Sequence, residues 1–353
     1  MENQKIDLLS LYESELEEFI ISIGEPKYRA KQLFTQMHKG VSPADMTNIG
    51  KATKQKIDER AYYSLPLIRR KLVSAIDGTV KYLFELNDGN CVESVVMKYK
   101  HGNTICVSSQ VGCRMGCAFC ASTIGGKLRD LRASEILGQV LMAQNDTGER
   151  ISNIVMMGIG EPLDNYDNVI RFLRLVGCEN GMNIGYRHIS LSTCGLVDKI
   201  ERLAKEDMQI TLSISLHASD DETRSEIMPV NKKWNVQALL EACRKYYATT
   251  GRRISFEYTL ISGKNDTNAD ADELSALLKN AFRGTGAPIH VNLIRVNEVK
   301  ETGFKEGSRE SADNFAKRLE SSGIVATVRR RLGSDVNAAC GQLRRASINK
   351  SEE

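Results

Sequence analysis

Cys113-Arg114-Met115-Gly116-Cys117-Ala118-Phe119-Cys120 gathers three cysteines into eight residues. Gly112, Arg114 and Gly116 around them argue for a loop rather than for a packed core element. Three thiolates on one tight loop suit a cubane iron–sulfur cluster, which ordinarily takes four cysteines. No fourth cysteine follows closely, and an iron without a protein ligand is an open position at which a substrate can be bound and activated. The competing reading is a structural zinc site that recruits Cys106 or His101 as its fourth ligand. That alternative would make the chain a zinc-stabilised binding protein without catalysis.

Working outward, the 353 residues are 41% hydrophobic with a net charge of +3, which suits a large domain with a smaller one attached. The charge neither demands nor excludes a polyanionic partner. Nine cysteines, the absence of an apolar signal segment in the first residues and of any run long enough to span a bilayer point to a reducing, cytoplasmic setting without membrane association.

The chain opens with helical spacing at Leu16, Phe19, Ile20 and Ile23, and again from Tyr28 to Met37 after Gly24-Glu25-Pro26, with a third helix over Lys51–Arg60. Residues 1–62 therefore read as a small helical accessory domain. From Leu67 the period is strand-like, and Asp77-Gly78 and Asp88-Gly89 are hairpin turn signals, so 63–102 reads as an antiparallel β extension. From Asn103 short apolar runs alternate with helical patterns, giving six strands joined through helices over 103–300. Residues 301–353 carry a helix at Ser311–Ser321, a last strand at Val325–Arg329 and a loop around Cys340. The expected fold is α/β: a partial (βα)6 barrel with an N-terminal helical domain and a β extension.

In parallel βα architectures ligands collect at the C-terminal ends of strands. Polar residues fall there: the cysteine loop, Gly158-Ile159-Gly160-Glu161-Pro162, Ser192-Thr193-Cys194-Gly195, Ser215-Leu216-His217 and Asn297. Gly158-x-Gly160 lacks the third glycine of a dinucleotide fingerprint and the Lys-Ser/Thr of a P-loop, so it is not read as a phosphate cradle.

The CxxxCxxC loop with Phe119 before its last cysteine resembles the cluster loop of the radical S-adenosylmethionine (SAM) enzymes. Val92-Glu93-Ser94-Val95, Cys106-Val-Ser-Ser-Gln-Val-Gly-Cys113, Met157-Gly-Ile-Gly-Glu-Pro162, Ser215-Leu-His217, Asn231-Lys-Lys and Ala338-Ala-Cys340-Gly-Gln-Leu343 extend the resemblance, over nearly the whole chain, to the RlmN-type adenine-C2 RNA methyltransferases. That resemblance implies one 4Fe-4S cluster on Cys113, Cys117 and Cys120, and a SAM pocket lined by Gly160, Glu161, Ser192, Ser215, Leu216, His217 and Asn297. It implies two SAM molecules per turnover, one to methylate Cys340 and one to generate the radical. Glu93 becomes the acceptor of the ring proton and Cys106 the thiol that frees the product through a transient disulfide. The implied substrates are 23S rRNA near the peptidyl-transferase centre and the adenosine 3′ of the anticodon in tRNA, with an electron donor such as flavodoxin or ferredoxin. A monomer is expected.

Three positions depart from the pattern. Cys194 stands where serine is usual, Asn337 where aspartate is usual, and Arg295 where proline is common among the C2 enzymes. Arg295 has precedent in the Cfr enzymes, which methylate carbon 8, so carbon 8 remains the alternative regiochemistry. Arg329-Arg330-Arg331 and Arg344-Arg345 flank Cys340 and are candidate phosphate contacts.

Overall fold

In the computed structural model, residues 5–297 and 303–336 are described. The N-terminal part holds β1 (Ile6–Asp7), α1 (Glu13–Ser22), α2 (Tyr28–Met37), α3 (Lys51–Arg60) and β2 (Ala61–Tyr62). Leu16, Phe19, Ile20, Leu33, Phe34, Met37 and Ile57 are buried, the faces that the spacing predicts. These side chains belong to the same continuous core as the barrel, so the helical unit is docked rather than tethered. The ion pair of Arg171 with Glu15 at 2.6 Å reinforces that contact from the surface.

Three antiparallel strands follow, β3 (Leu67–Val73), β4 (Val80–Glu85) and β5 (Cys91–Tyr99). Their turns place Gly78 and Gly89 at φ of 71° and 78°, the left-handed region that the Asp-Gly pairs predict. Next come β6 (Gly102–Cys106), a short hairpin of β7 (Gln110–Gly112) and β8 (Lys127–Asp130), α4 (Ala133–Thr147), β9 (Ile151–Met156), α5 (Tyr166–Gly177), β10 (Ile189–Thr193), α6 (Val197–Leu203), β11 (Thr211–Ser215), α7 (Asp221–Ile227), α8 (Val236–Thr250), β12 (Ile254–Leu260), α9 (Asn268–Ala281), β13 (Ile289–Arg295), α10 (Arg309–Ser321) and β14 (Val325–Val328).

Ten strands form one sheet in the order β14-β13-β12-β11-β10-β9-β6-β5-β4-β3. Pairing is parallel from β6 to β14 and antiparallel from β3 to β6. The six expected strands thus pair in sequence order, and Val325–Val328 joins them as a seventh parallel strand at the edge. All seven residues of β12 are buried, as a strand covered on both faces requires. The β7–β8 hairpin and α7 have no expectation from sequence, being too short for a periodic pattern. No helix among the described residues is long and apolar enough to cross a membrane.

The sheet does not close on itself, and the chain after β14 turns back to its far end. Asp335 accepts hydrogen bonds from Ser74 Oγ at 2.7 Å and from the Ala75 N–H at 2.9 Å. Gly333 donates its N–H to Asp77 at 2.8 Å. Burial works against the Asp77 carboxylate, but the N–H groups of Gly333 and Thr79 prevail and hold its pKa down at about 2. Replacing Asp77 and Asp335 together with alanine is expected to speed limited proteolysis between 329 and 336 while the barrel core stays resistant. An unchanged cleavage rate would mean that these bonds do not hold the segment.

Candidate active site

The cysteine loop is fixed at both ends. The Cys113 N–H donates to Gly126 O at 3.0 Å, and the Ala118 N–H donates to Ile227 O, at the end of α7, at 2.9 Å. Inside the loop, Thr123 Oγ1 donates to the carbonyls of Cys117 and Cys120. Gln110, fully buried, donates to Asp130 and Asp164 at 2.8 and 2.9 Å, and Lys127 and Arg114 also pair with Asp164.

Above the C-terminal ends of the parallel strands lies a cavity of about 610 Å³. Cys113, Cys117, Cys120, Cys106, Gly160, Glu161, Ser192, Ser215, His217 and Asn297 all line it. Leu216 does not, because its side chain packs in the core while its N–H donates to Glu257 O at 3.0 Å. Glu93 stands outside this lining, two positions along the same face of β5 from Val95, which is in it. Cys340, Asn337, Arg344 and Arg345 lie outside the described residues. Cys243 and Cys194 are both buried in the core, and Cys194 also lines the cavity.

Electrostatics here are set by burial. Burial pushes the Cys113 thiol up to about 12 and the Cys117 thiol up as well, with further contributions from neighbouring cysteines and Glu161. Thiols so disposed ionise only against a compensating cation. Burial also raises the Glu161 carboxyl, although the N–H groups of Cys194 and Leu163 bind its oxygens at 2.8 and 3.0 Å. Three sulfurs around one cavity beside an open polar wall are a donor set that fits a cluster with one unligated iron. Among the described residues no three His, Cys, Asp or Glu side chains converge on a single point.

His217 adopts φ of 60°, and its Nδ1 accepts the Thr259 N–H at 3.0 Å, so the neutral ring carries its proton on Nε2. Phe119 meets that ring edge-on at 5.0 Å, which ties the cysteine loop to the fourth parallel strand. Burial, with help from the Arg224 charge, lowers the His217 pKa to about 3.

Two residues escaped the sequence reading. Arg224, with no exposed surface, donates to Leu216 O, Asn231 Oδ1, Cys194 O and Ser215 O at 3.0, 2.8, 2.8 and 3.2 Å. It braces the backbone under two of the ligand-facing loops, and nothing in the polar run Asp221–Ile227 distinguishes it from a surface arginine. Glu257 lines the cavity, accepts from Asn292 Nδ2 at 2.7 Å and has its pKa raised by burial. Its signal was available, as a charge inside the otherwise buried run Ile254–Leu260.

Arg224→Met is expected to cost about 3 kcal/mol of stability, because four buried acceptors lose their donor; urea unfolding measures it. His217 and His38, which burial lowers to about 4, sit below the free value of about 6.5. The unfolded chain therefore binds protons that the folded chain refuses, and stability should fall as pH drops from about 6.5 towards 3–4. Urea midpoints between pH 7 and 5 should show this fall, and His38→Phe should make it shallower.

Comparison with known proteins agrees with this geometry. Residues 107–274 match the radical SAM superfamily, and residues 6–62 match the ribosomal RNA large subunit methyltransferase N-terminal domain. A Clostridium tetani protein named "Probable dual-specificity RNA methyltransferase RlmN" is 55% identical, covering 99% of each chain. A protein of the same name from Alkaliphilus oremlandii is 55% identical over 98% of this chain and 99% of its own. The crystal structure of a radical SAM methyltransferase from Sphaerobacter thermophilus superposes with a TM-score of 0.89 at 41% identity, covering 96% of this chain and 98% of that one. With a near-full-length match, a matching N-terminal domain and the barrel fold in common, this chain belongs to the RlmN family of radical SAM RNA methyltransferases.

Proposed function

We propose that this enzyme methylates carbon 2 of adenosine in the peptidyl-transferase region of 23S rRNA and at the adenosine 3′ of the anticodon in tRNA. The supporting observation is that Cys106 and the three loop cysteines line one cavity together with Gly160, Glu161, Ser192, Ser215, His217 and Asn297. Cys113, Cys117 and Cys120 would hold one 4Fe-4S cluster, and the other residues, with Leu216 from behind, would hold SAM. When bound, these groups supply an electron, a methyl group and a hydrogen-abstracting radical, with flavodoxin or ferredoxin as the electron source.

The protein's own part begins at Cys340, whose thiolate accepts the methyl group by displacement. Once a hydrogen atom has been taken from that methyl group by the radical SAM would supply, its carbon bonds to the adenine ring, linking RNA and protein and leaving one unpaired electron on the adduct. Glu93 takes the proton from the ring carbon. Cys106 sulfur then attacks Cys340 sulfur, so that an S–S bond forms as the C–S bond breaks; the bonding pair stays with the carbon, which takes up a proton to become the methyl group, and the one unpaired electron would pass back to the cluster that supplied it. The exposed Arg330 and Arg331 at the cavity rim suit phosphates flanking a base lifted from its stack.

Arg295 supports a second reading, methylation at carbon 8, because it also faces this cavity, with a guanidinium nitrogen 3.2 Å from Glu306. Anaerobic incubation with SAM, a reductant and an rRNA fragment or tRNA, followed by nucleoside mass spectrometry, tests both. The expected product is 2-methyladenosine, lost in Cys106→Ala and Cys340→Ala. 8-Methyladenosine would move the assignment to carbon 8, and zinc in place of iron with no methylated base would overturn the whole reading.

A further inference from the structure

Lys81 has no exposed surface, and its Nζ lies 3.0 Å from a carboxylate oxygen of Glu93, itself only 2% exposed. Strand register explains how they meet. Lys81 on β4 stands opposite Val95 on β5, and Val95 stands opposite Cys106 on β6, so the three side chains form one row on one face of the sheet. Glu93, two residues from Val95, is on that same face, and Lys81 reaches it diagonally. Three further cations of these strands pair elsewhere: Lys71 with Asp146, Arg69 with Glu85 and Lys98 with Glu149, all at least partly exposed.

Stability gives no reason for such a pair. Two ions lose their hydration, a lysine stem is immobilised, and apolar residues of similar volume at such sites are commonly neutral or stabilising. A reason appears if Glu93 must stand next to the reacting base as an anion. An isolated carboxylate buried there takes up a proton instead, and a carboxylic acid cannot accept another.

We propose that Lys81 is a positioning residue for methyl transfer, its ammonium supplying the counter-charge that keeps Glu93 ionised and oriented to take the proton from the adenine ring carbon. This rests on the reading of Glu93 as the proton acceptor. In the step concerned, the C–H bond breaks, its electron pair stays with the base, and the proton passes to Glu93. Without that transfer the carbon–sulfur link between RNA and Cys340 persists.

The test uses the full-length holoenzyme with SAM, reductant and rRNA fragment under anaerobic conditions, comparing wild type with Lys81→Met, Lys81→Gln, Lys81→Arg and Glu93→Gln. Three quantities are read: 5′-deoxyadenosine from SAM cleavage, methylated adenosine, and covalent RNA–protein adduct on denaturing gels. Lys81→Met and Lys81→Gln should still release 5′-deoxyadenosine, lose about 100-fold in methylated product and accumulate the adduct, as Glu93→Gln should. Lys81→Arg, which keeps the charge, should recover most of the product. Normal methylation by Lys81→Met, loss of SAM cleavage in both uncharged variants, or a Lys81→Arg no better than Lys81→Met would overturn the proposal and leave Lys81 structural. If Glu93→Gln methylates normally, the reading of Glu93 fails and the role of Lys81 with it. If Glu93→Gln is blocked with adduct while Lys81→Met is not, only the inference about Lys81 fails.

Discussion

The site depends on one interlock, in which the chain leaving β6 and the loop after β9 bond to each other's backbone. Gly158 donates its N–H to Val107 O at 3.1 Å, and Ser109 and Gln110 both donate to Ile159 O. Ser108 Oγ accepts the Ile159 N–H, and Gln110 Oε1 accepts the Glu161 N–H, at 3.0 and 2.9 Å. A Cβ at Gly158 would come within 2.6 Å of Val107 O, and one at Gly160 within 2.6 Å of Gln110 Cβ. The glycines serve close backbone approach, not phosphate binding. Because Gln110 begins the strand that leads into Cys113, this contact fixes the cysteine loop relative to Glu161, the two halves of the ligand site.

A second constraint is the open sheet. A full barrel has no edges, whereas this one ends at β14 on one side and runs on into the antiparallel strands β5, β4 and β3 on the other. The hairpin strands therefore form part of the wall around the site, with Val95 and Met97 of β5 lining the cavity beside Cys106. The segment after β14 reaches the β3–β4 turn through Asp335 and Gly333, which brings the two ends of the sheet together across the mouth. In sequence, Cys340 follows Val336 by four residues.

Much of this arrangement was legible in the residues because it is written in local patterns. Asp77-Gly78 and Asp88-Gly89 specify turns, Tyr28–Met37 shows a helical stripe, and the cysteine spacing marks its own loop. What escaped is non-local. Arg224 sits in a mostly polar heptapeptide, and only the fold turns it inward to four acceptors drawn from three separate loops, at Cys194, at Ser215 and Leu216, and at Asn231. The β7–β8 hairpin escaped because three- and four-residue strands carry no period. Val325–Val328 was recognised as a strand but not as part of the sheet, since an edge partner is chosen by space rather than by composition.

Three buried ionic groups show how differently one fold can meet the cost of an interior charge. Arg224 is surrounded by oxygens that carry no full charge, so its guanidinium acts as a five-donor brace and burial lowers its proton affinity only from a very high starting point. Glu161 is met by backbone N–H groups, dipoles that hold its oxygens in place while burial still raises its proton affinity. Lys81 and Glu93 neutralise each other. The first arrangement satisfies loops and the second holds a carboxyl group at the cavity wall. The third cancels its own field, which attracts no charged ligand and leaves each partner oriented by the other. Under the proposed roles, that difference separates Glu161, a carboxylate suited to binding a charged cosubstrate, from Glu93, one suited to receiving a proton.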